Sequence, residues 1–211
     1  MSDIYTTIRS ESQGLFKDKG SRFIAYAFPV RSEEEVKPLL DSLRKEHHAA
    51  RHCCYAYRIS SIERTPSGPV LSKEGIWRAS DDGEPSGTAG RQILGQIDSA
   101  GLQDVLVAVV RYFGGILLGV PGLIRAYRSA AADALSNAGR AEVQAVLRYT
   151  LRFPYEKQPE VEKMIKDYRL AVTKRDFSED CSVEMEIPPS LEFKVVEHIE
   201  KMGIFINHNN T

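Results

Sequence analysis

Residues 80–127 read SDDGEPSGTAGRQILGQIDSAGLQDVLVAVVRYFGGILLGVPGLIRAY, and the fold turns on how this stretch is parsed. Val105–Val110, VLVAVV, is a continuous run rich in β-branched residues, the pattern of a strand buried on both faces, and predicts the centre of a sheet. Upstream, Ile93, Leu94 and Ile97 recur at helical spacing, with Ser86 or Thr88 placed to cap that helix and Gly101 to end it. Downstream, Arg111-Tyr112-Phe113 leaves the strand and Gly114-Gly115 permits backbone geometry closed to other residues. Gly119-Val120-Pro121-Gly122 then opens a helix, with proline near its first position, that ends at Gly139.

Two features of this stretch point to recognition or chemistry. In the glycine-rich turn Gly114–Gly122, several N–H groups and a helix start face the same space, as in a phosphate cradle, and Arg111, Arg125 and Arg128 lie close in sequence. The alternative reading is tight strand-to-helix packing. A Walker loop would continue Gly114-x₄-Gly119 with Lys-Ser/Thr; Val120-Pro121 stands there instead, which disfavours nucleotide triphosphate hydrolysis. The acidic turn carries Asp81, Asp82 and Glu84, a set suited to a divalent cation or to acid–base work. Equally, these carboxylates suit capping of the next helix and pairing with Arg111 or Arg125.

Other candidates carry less. His52-Cys53-Cys54, with His47 and His48 nearby, invites a metal, but strand alternation puts only His52 and Cys54 on one face and no paired CxxC spacing exists, so neither a metal nor a cofactor is expected. The same pair as a nucleophile and base lacks any oxyanion donor that sequence can place. Lys17, Lys19 and Arg22, beside Phe23 and Tyr26, form a second basic cluster, either a solvated hairpin tip or a nucleic-acid contact.

Along the chain, residues 4–11 and 21–30 read as strands flanking a polar turn segment, Gly14–Gly20. Ser32 and Glu35 form a capping box for a helix carrying Val36, Leu39, Leu40 and Leu43, in which Pro38 predicts a later start or a kink. Cys53–Ile59 alternates as a strand. Ser60–Ser80 reads as an exposed hairpin or long loop, with Ile76-Trp77-Arg78 as a returning strand. From about residue 142 the order is strand Val143–Phe153, helix Glu156–Tyr168, a hairpin of Leu170–Phe177 and Cys181–Ile187, helix Pro189–Met202 and strand Gly203–Asn207. This βαββαβ order is the ferredoxin-like signature. The expected class is therefore α+β, with domains 1–141 and 142–211.

Composition bounds the function. At 211 residues with 42% hydrophobic residues the chain has material for one large or two small cores. A net charge of −1 gives no general attraction to nucleic acid or membrane. The charge divides unevenly, +2 over residues 1–141 and −3 over 142–211, so any phosphate contact belongs to the first part. Three cysteines, two of them adjacent, make no disulfide framework and point to a reducing, cytoplasmic setting. No apolar run reaches membrane-spanning length.

DDGEPSGTAG, followed at a set distance by VRYFGG and GLIRAY, with HCCYAYRI at 52–59 and SRFIAYAFPV at 21–30, resembles the IMPACT or YigZ family (uncharacterised protein family 29). The likeness spans most of the chain. Two positions depart from the family's pattern: Leu117 stands where lysine is usual and Val120-Pro121 where Ala-Gly is usual, which removes one positive charge from the loop. The resemblance implies an N-terminal IMPACT domain sharing its fold with a ribosomal-protein domain and with domain IV of elongation factor G. It also implies a ferredoxin-like C-terminal domain similar to domain V of that factor. Eukaryotic members regulate translation by protein contact with an activator of a stress kinase. The function so implied is non-enzymatic: a translation-associated regulator contacting RNA or a ribosome-associated partner through Arg111, Tyr112, Gly114, Gly115, Gly119 and Arg125. The rival is a small hydrolase or transferase acting on an anionic substrate between Asp81–Glu84 and Gly114–Gly122.

Overall fold

A computed structural model describes residues 3–177 and 181–208; the turn of the hairpin predicted between Phe177 and Cys181 falls outside the described residues. The chain forms two compact units. One comprises Tyr5–Ser61 and Lys73–Val143; the other comprises residues 3–4, Ile62–Ser72 and the described residues from Gln144 onward. Both mix helices and strands.

The first unit contains β1 (Ile4–Ile8), β2 (Ser12–Asp18), β3 (Ser21–Pro29), α1 (Glu33–Glu46) and β4 (His52–Ile59). After the hairpin β5 (Ile62–Thr65) and β6 (Gly68–Leu71), which belongs to the other unit, it resumes with β7 (Ile76–Ser80), α2 (Gly90–Ala100), β8 (Val105–Tyr112), α3 (Gly119–Asn137) and β9 (Arg140–Gln144). Five strands make one antiparallel sheet in the order β2-β3-β8-β4-β7, with β8 at its centre as the VLVAVV run predicts. Every residue from Val105 to Val110 is fully buried. Val105, Val107 and Val109 pack with Ile93, Ile97 and Tyr127 beneath α2 and α3, while Leu106, Ala108 and Val110 pack with Leu40 and Leu43 of α1 on the opposite face. At roughly 1.5–3 kcal/mol for each large side chain buried, this three-layer arrangement supplies the main driving force for the unit.

Several local expectations are corrected. The polar segment Gly14–Gly20 is mostly strand, because β2 pairs residue for residue with β3 from Ser12↔Ala27 to Asp18↔Ser21, and the turn is only Lys19-Gly20, both at positive φ. Gly14 is a close-approach glycine: a Cβ there would lie 2.3 Å from the Ala134 amide nitrogen of α3. β1 does not join this hairpin but pairs with β9. α1 starts at Glu33 and runs through Pro38, since burial of Val36, Leu40 and Leu43 outweighs a proline penalty of about 3 kcal/mol. The capping box does not form; Glu35 accepts from the Arg31 N–H at 2.9 Å and Ser32 makes no cap bond. β2 is an edge strand, and α3 blunts it: the Leu15 N–H donates to Asp133 (2.9 Å) and Asn137 donates to the Gln13 carbonyl (2.8 Å).

The second unit is built from β10 (Leu147–Phe153), α4 (Gln158–Tyr168), β11 (Ala171–Phe177), β12 (Cys181–Ile187), α5 (Glu192–Lys201) and β13 (Phe205–His208). Short 3₁₀ turns precede α4 and α5. Its antiparallel sheet runs β11-β12-β10-β13, and alternate residues of β10 and β12 point into a core with Val161, Met164, Val195 and Ile199. Of the two readings of Ser60–Ser80, hairpin or long loop, the hairpin holds in β5–β6, but it packs into this unit rather than standing exposed. Ile62 packs on its core, and Arg64 donates to Glu192 at 2.9 Å beside the Tyr149 hydroxyl, which also donates to Glu192. On the sheet's other face Arg148 pairs with Glu186 and Lys174 with Glu184. Among the described residues no helix is long and apolar enough to cross a membrane.

Candidate functional site

The acidic turn follows β7, and each of its carboxylates is taken up by the protein itself. Asp81 accepts three backbone N–H groups, from Gly87 (2.8 Å), Ala89 (3.0 Å) and Gly90 (2.9 Å), so it caps α2 across the turn. The predicted caps do not act: Thr88 instead donates its hydroxyl to the Pro85 carbonyl, and no side chain at the N-cap position bonds the helix. Gly101 ends α2 in the left-handed region as expected. Asp82, at φ +41°, accepts from the Cys53 N–H (2.7 Å), pairs with Arg44 (3.4 Å), and offers its carbonyl to His52 Nδ1 (2.8 Å). The turn is thereby stitched to β4 and α1.

Glu84 is the buried member. Its carboxylate accepts from Arg111 Nη1 (2.6 Å) and from the Tyr127 hydroxyl (2.8 Å), with the Glu84 and Arg111 side chains only 3% and 9% exposed. Burial, with Glu84 alongside, pushes the Tyr127 phenol far above its ordinary range. The Cys54 sulfur lies 2.9 Å from the Asp81 carbonyl and 3.3 Å from the Tyr127 hydroxyl, two acceptors for its single S–H, and burial pushes its thiol up as well. Cys53 is pushed up to about 11 by burial. Thiols held protonated in this way are weak nucleophiles and weak metal ligands. Among the described residues no group of three or more His, Cys, Asp or Glu side chains is arranged to hold a metal.

The glycine turn is arranged differently. Arg111 points inward, its guanidinium lying 5.5 Å from the Phe23 ring centroid and 5.7 Å from that of Phe113. Tyr112 points to the opposite face, where its hydroxyl meets His47 Nδ1 (2.9 Å) and its ring lies under Arg22. Gly114 sits against the hairpin tip so closely that a Cβ would fall 2.0 Å from the Gly20 carbonyl carbon, and its N–H donates to Ser21 Oγ (3.1 Å). Gly115 and Gly119 both adopt positive φ, and α3 begins at Gly119 without a side-chain cap. Arg125 pairs with Asp18 at 2.5 Å rather than with the acidic turn. Arg128 donates to Gln92.

The structure thus divides the predicted set. Arg111 joins Glu84 in the interior. Gly114 meets Gly20 at the hairpin tip next to Lys19, and Arg125 pairs with Asp18 of the same hairpin; Gly115 and Gly119 make no such contact, while Lys17 and Arg22 lie cross-strand on the face that also carries Tyr112. What sequence reasoning misses is apolar. Phe113, Ile116, Leu117 and Val120 are 56%, 55%, 82% and 51% exposed, four large side chains within eight residues. The sequence signal for them is FGGILLGV itself, an apolar run matching neither strand nor helix period.

The model of the Impact N-terminal domain matches residues 19–135, the span that contains most of the five-stranded sheet, both candidate turns and most of α3. The chain belongs to the IMPACT family. An IMPACT family member of Thermus thermophilus is 38% identical over 82% of this chain and 87% of its own length. The IMPACT family member YigZ of Escherichia coli is 32% identical over 89% and 86%. A solved structure described as a hypothetical protein matches with a TM-score of 0.66 at 25% identity, covering 100% of this chain and 98% of that one. IMPACT membership therefore rests on sequence across both units, and the fold likeness extends over the whole chain.

Proposed function

We propose that this IMPACT family chain is a non-enzymatic binding protein of the translation apparatus that contacts RNA or a ribosome-associated protein through its first unit. The observation that carries this is the contrast between the two turns. Asp81 and Glu84 spend oxygens on backbone amides, Arg111 and Tyr127, which supports a structural role for the acidic turn over the acid–base or cation work of a hydrolase or transferase. The Phe113–Val120 loop, by contrast, stays exposed beside Lys19 and Arg125. A binding module needs an accessible, shaped surface, whereas an enzyme needs converging reactive groups in a water-excluding pocket.

The translation setting is what the resemblance to IMPACT family proteins implies, and family membership supports it. For the second unit, the sheet order β11-β12-β10-β13 and the strand–helix order support a ferredoxin-like reading akin to domain V of elongation factor G. Its paired charges Arg148–Glu186 and Lys174–Glu184 favour packing or protein contact over phosphate binding. The first unit corresponds in this reading to the IMPACT domain and acts in the cytoplasm. The test is affinity capture on the intact chain from a translating lysate at low and moderate salt, with RNA and protein both identified. Ribosomal RNA, ribosomal proteins or translation factors should be retained above a bead control; if none is retained at either salt, the reading fails.

A further inference from the structure

We infer that the knuckle formed by Phe113, Ile116, Leu117 and Val120 docks an acidic protein segment that inserts large apolar side chains between them. This deepens, and rests on, the binding-module reading above. Exposed apolar residues are ordinary when scattered, and this unit shows scattered examples in Leu15, Ile76 and Trp77. Four within eight residues, rising to 82% exposure at Leu117, are not scattered. Large apolar residues left exposed this close together in the chain are what an interaction site would supply.

The knuckle is also held in place before any partner arrives. Its first residue packs against the Arg111 guanidinium, which Glu84 fixes from the interior. Gly114 is held against the hairpin tip by its close contact with Gly20 and its N–H bond to Ser21. Its far end runs into α3, whose Leu123, Ala126 and Tyr127 are buried in the main core. A surface ordered in advance loses little entropy on binding, so its apolar area converts efficiently into affinity.

Charge selects the partner. Lys19 sits at the hairpin tip that meets Gly114, and Arg125 follows the knuckle on α3; both are exposed, and Arg125 is paired with the half-buried Asp18. A segment with Asp or Glu flanking its apolar residues complements these cations and is steered toward them. RNA fits less well. Single strands bind through stacking on aromatic rings, and three of the four knuckle side chains are aliphatic.

The experiment is selection of phage-displayed random peptides on the full chain, followed by titration of the consensus peptide. Enrichment of sequences with leucine, phenylalanine or tryptophan flanked by Asp and Glu is expected. Leu117→Asp, and separately Ile116→Asp, should weaken that peptide by about tenfold or more, as loss of a central apolar anchor does. Phe193→Asp, at an exposed position of the second unit, should leave it unchanged. Circular dichroism checks that the variants fold; because the knuckle residues are exposed, both are expected to. An oligouridylate RNA is titrated in parallel. If no acidic consensus emerges, or if the consensus peptide binds Leu117→Asp as well as the parent chain, the inference is overturned. If the RNA binds and the knuckle variants abolish it while no peptide is enriched, the inference is overturned but the broader binding reading stands. Failure of the lysate capture removes that broader reading separately.

Discussion

The acidic turn Asp81–Glu84 and the glycine knuckle Phe113–Val120 lie at the two ends of one buried ion pair, since Arg111 bonds Glu84 and also packs on Phe113. In sequence each turn has two readings: the acidic turn as a cation or acid–base site or as a helix cap paired with arginine, the glycine turn as a phosphate cradle or as tight strand-to-helix packing. In space the carboxylates are spent on stability and the knuckle remains available. Charged residues in a tight turn have many backbone donors within reach, and a carboxylate that finds them is satisfied internally. An apolar side chain on a loop that must clear a neighbouring backbone has no such outlet and is left facing solvent.

The comparison breaks most visibly at Glu84. Glu84→Ala should cost about 3–5 kcal/mol in chemical denaturation, because it strands the Arg111 charge in the interior and leaves the Tyr127 hydroxyl without its acceptor. A loss under about 1 kcal/mol would mean that the pair is not the structural anchor described. Glu84→Gln, which keeps an acceptor, should fall between the alanine variant and the parent chain.

Asp81→Ala comes next. It removes the acceptor for three amides at the start of α2, for an expected cost of about 1–2 kcal/mol, with Asp81→Asn retaining part of the cap. Hydrogen exchange should place the loss in the first turn of α2. Uniform loss of protection across the whole unit would contradict the capping role.

A third, smaller effect concerns Asp104, another carboxylate the protein keeps for itself. It accepts from the Tyr5 hydroxyl and from the Ser60 N–H (2.7 Å), and burial together with Asp104 pushes the Tyr5 phenol up to about 12. In the unfolded chain tyrosine ionises near pH 10, so the folded state holds more protons between about pH 10 and 12. The contribution of Tyr5 is fully present below about pH 10 and is lost as pH rises toward about 12. Tyr57 and Tyr149, also pushed up to about 12 by burial, share the decline, so Tyr5→Phe should reduce its slope by Tyr5's part alone; an unchanged slope would show that Tyr5 contributes none of it.

The smallest stability effect should come from the knuckle. Leu117→Asp should shift unfolding by no more than about 0.5 kcal/mol, the range for surface positions without buried partners. A large destabilisation would show that Leu117 is packed, and would remove the contrast with Glu84.

Much of the fold is legible in the sequence because it follows from periodicity. The central strand, the helices and the βαββαβ order of the second unit are set by which residues must be buried and at what spacing. Gly14 reads as part of a turn because a glycine required by a passing helix and one required by a bend are indistinguishable until the helix is in place. The Ser60–Ser80 segment reads as an exposed excursion because nothing local says that Arg64 must reach a glutamate 128 residues away. Of the candidate site, the glycine loop's position is readable, as is the acidic turn's alternative role of capping α2 and pairing with Arg111, whereas the pairing of Arg125 with Asp18 is not.

Local pattern and motifs of fixed spacing were enough for the central place of Val105–Val110, the element order of the second unit and the family. Only the tertiary structure decided that Arg111 belongs to Glu84 and Arg125 to Asp18. It alone also decided that Asp81 caps a helix it precedes by nine residues and that Leu117 faces outward. Pairing and exposure depend on distances between segments far apart in the chain. Hydrophobic periodicity sets which face of each element is buried, but not which neighbour a polar group will meet there.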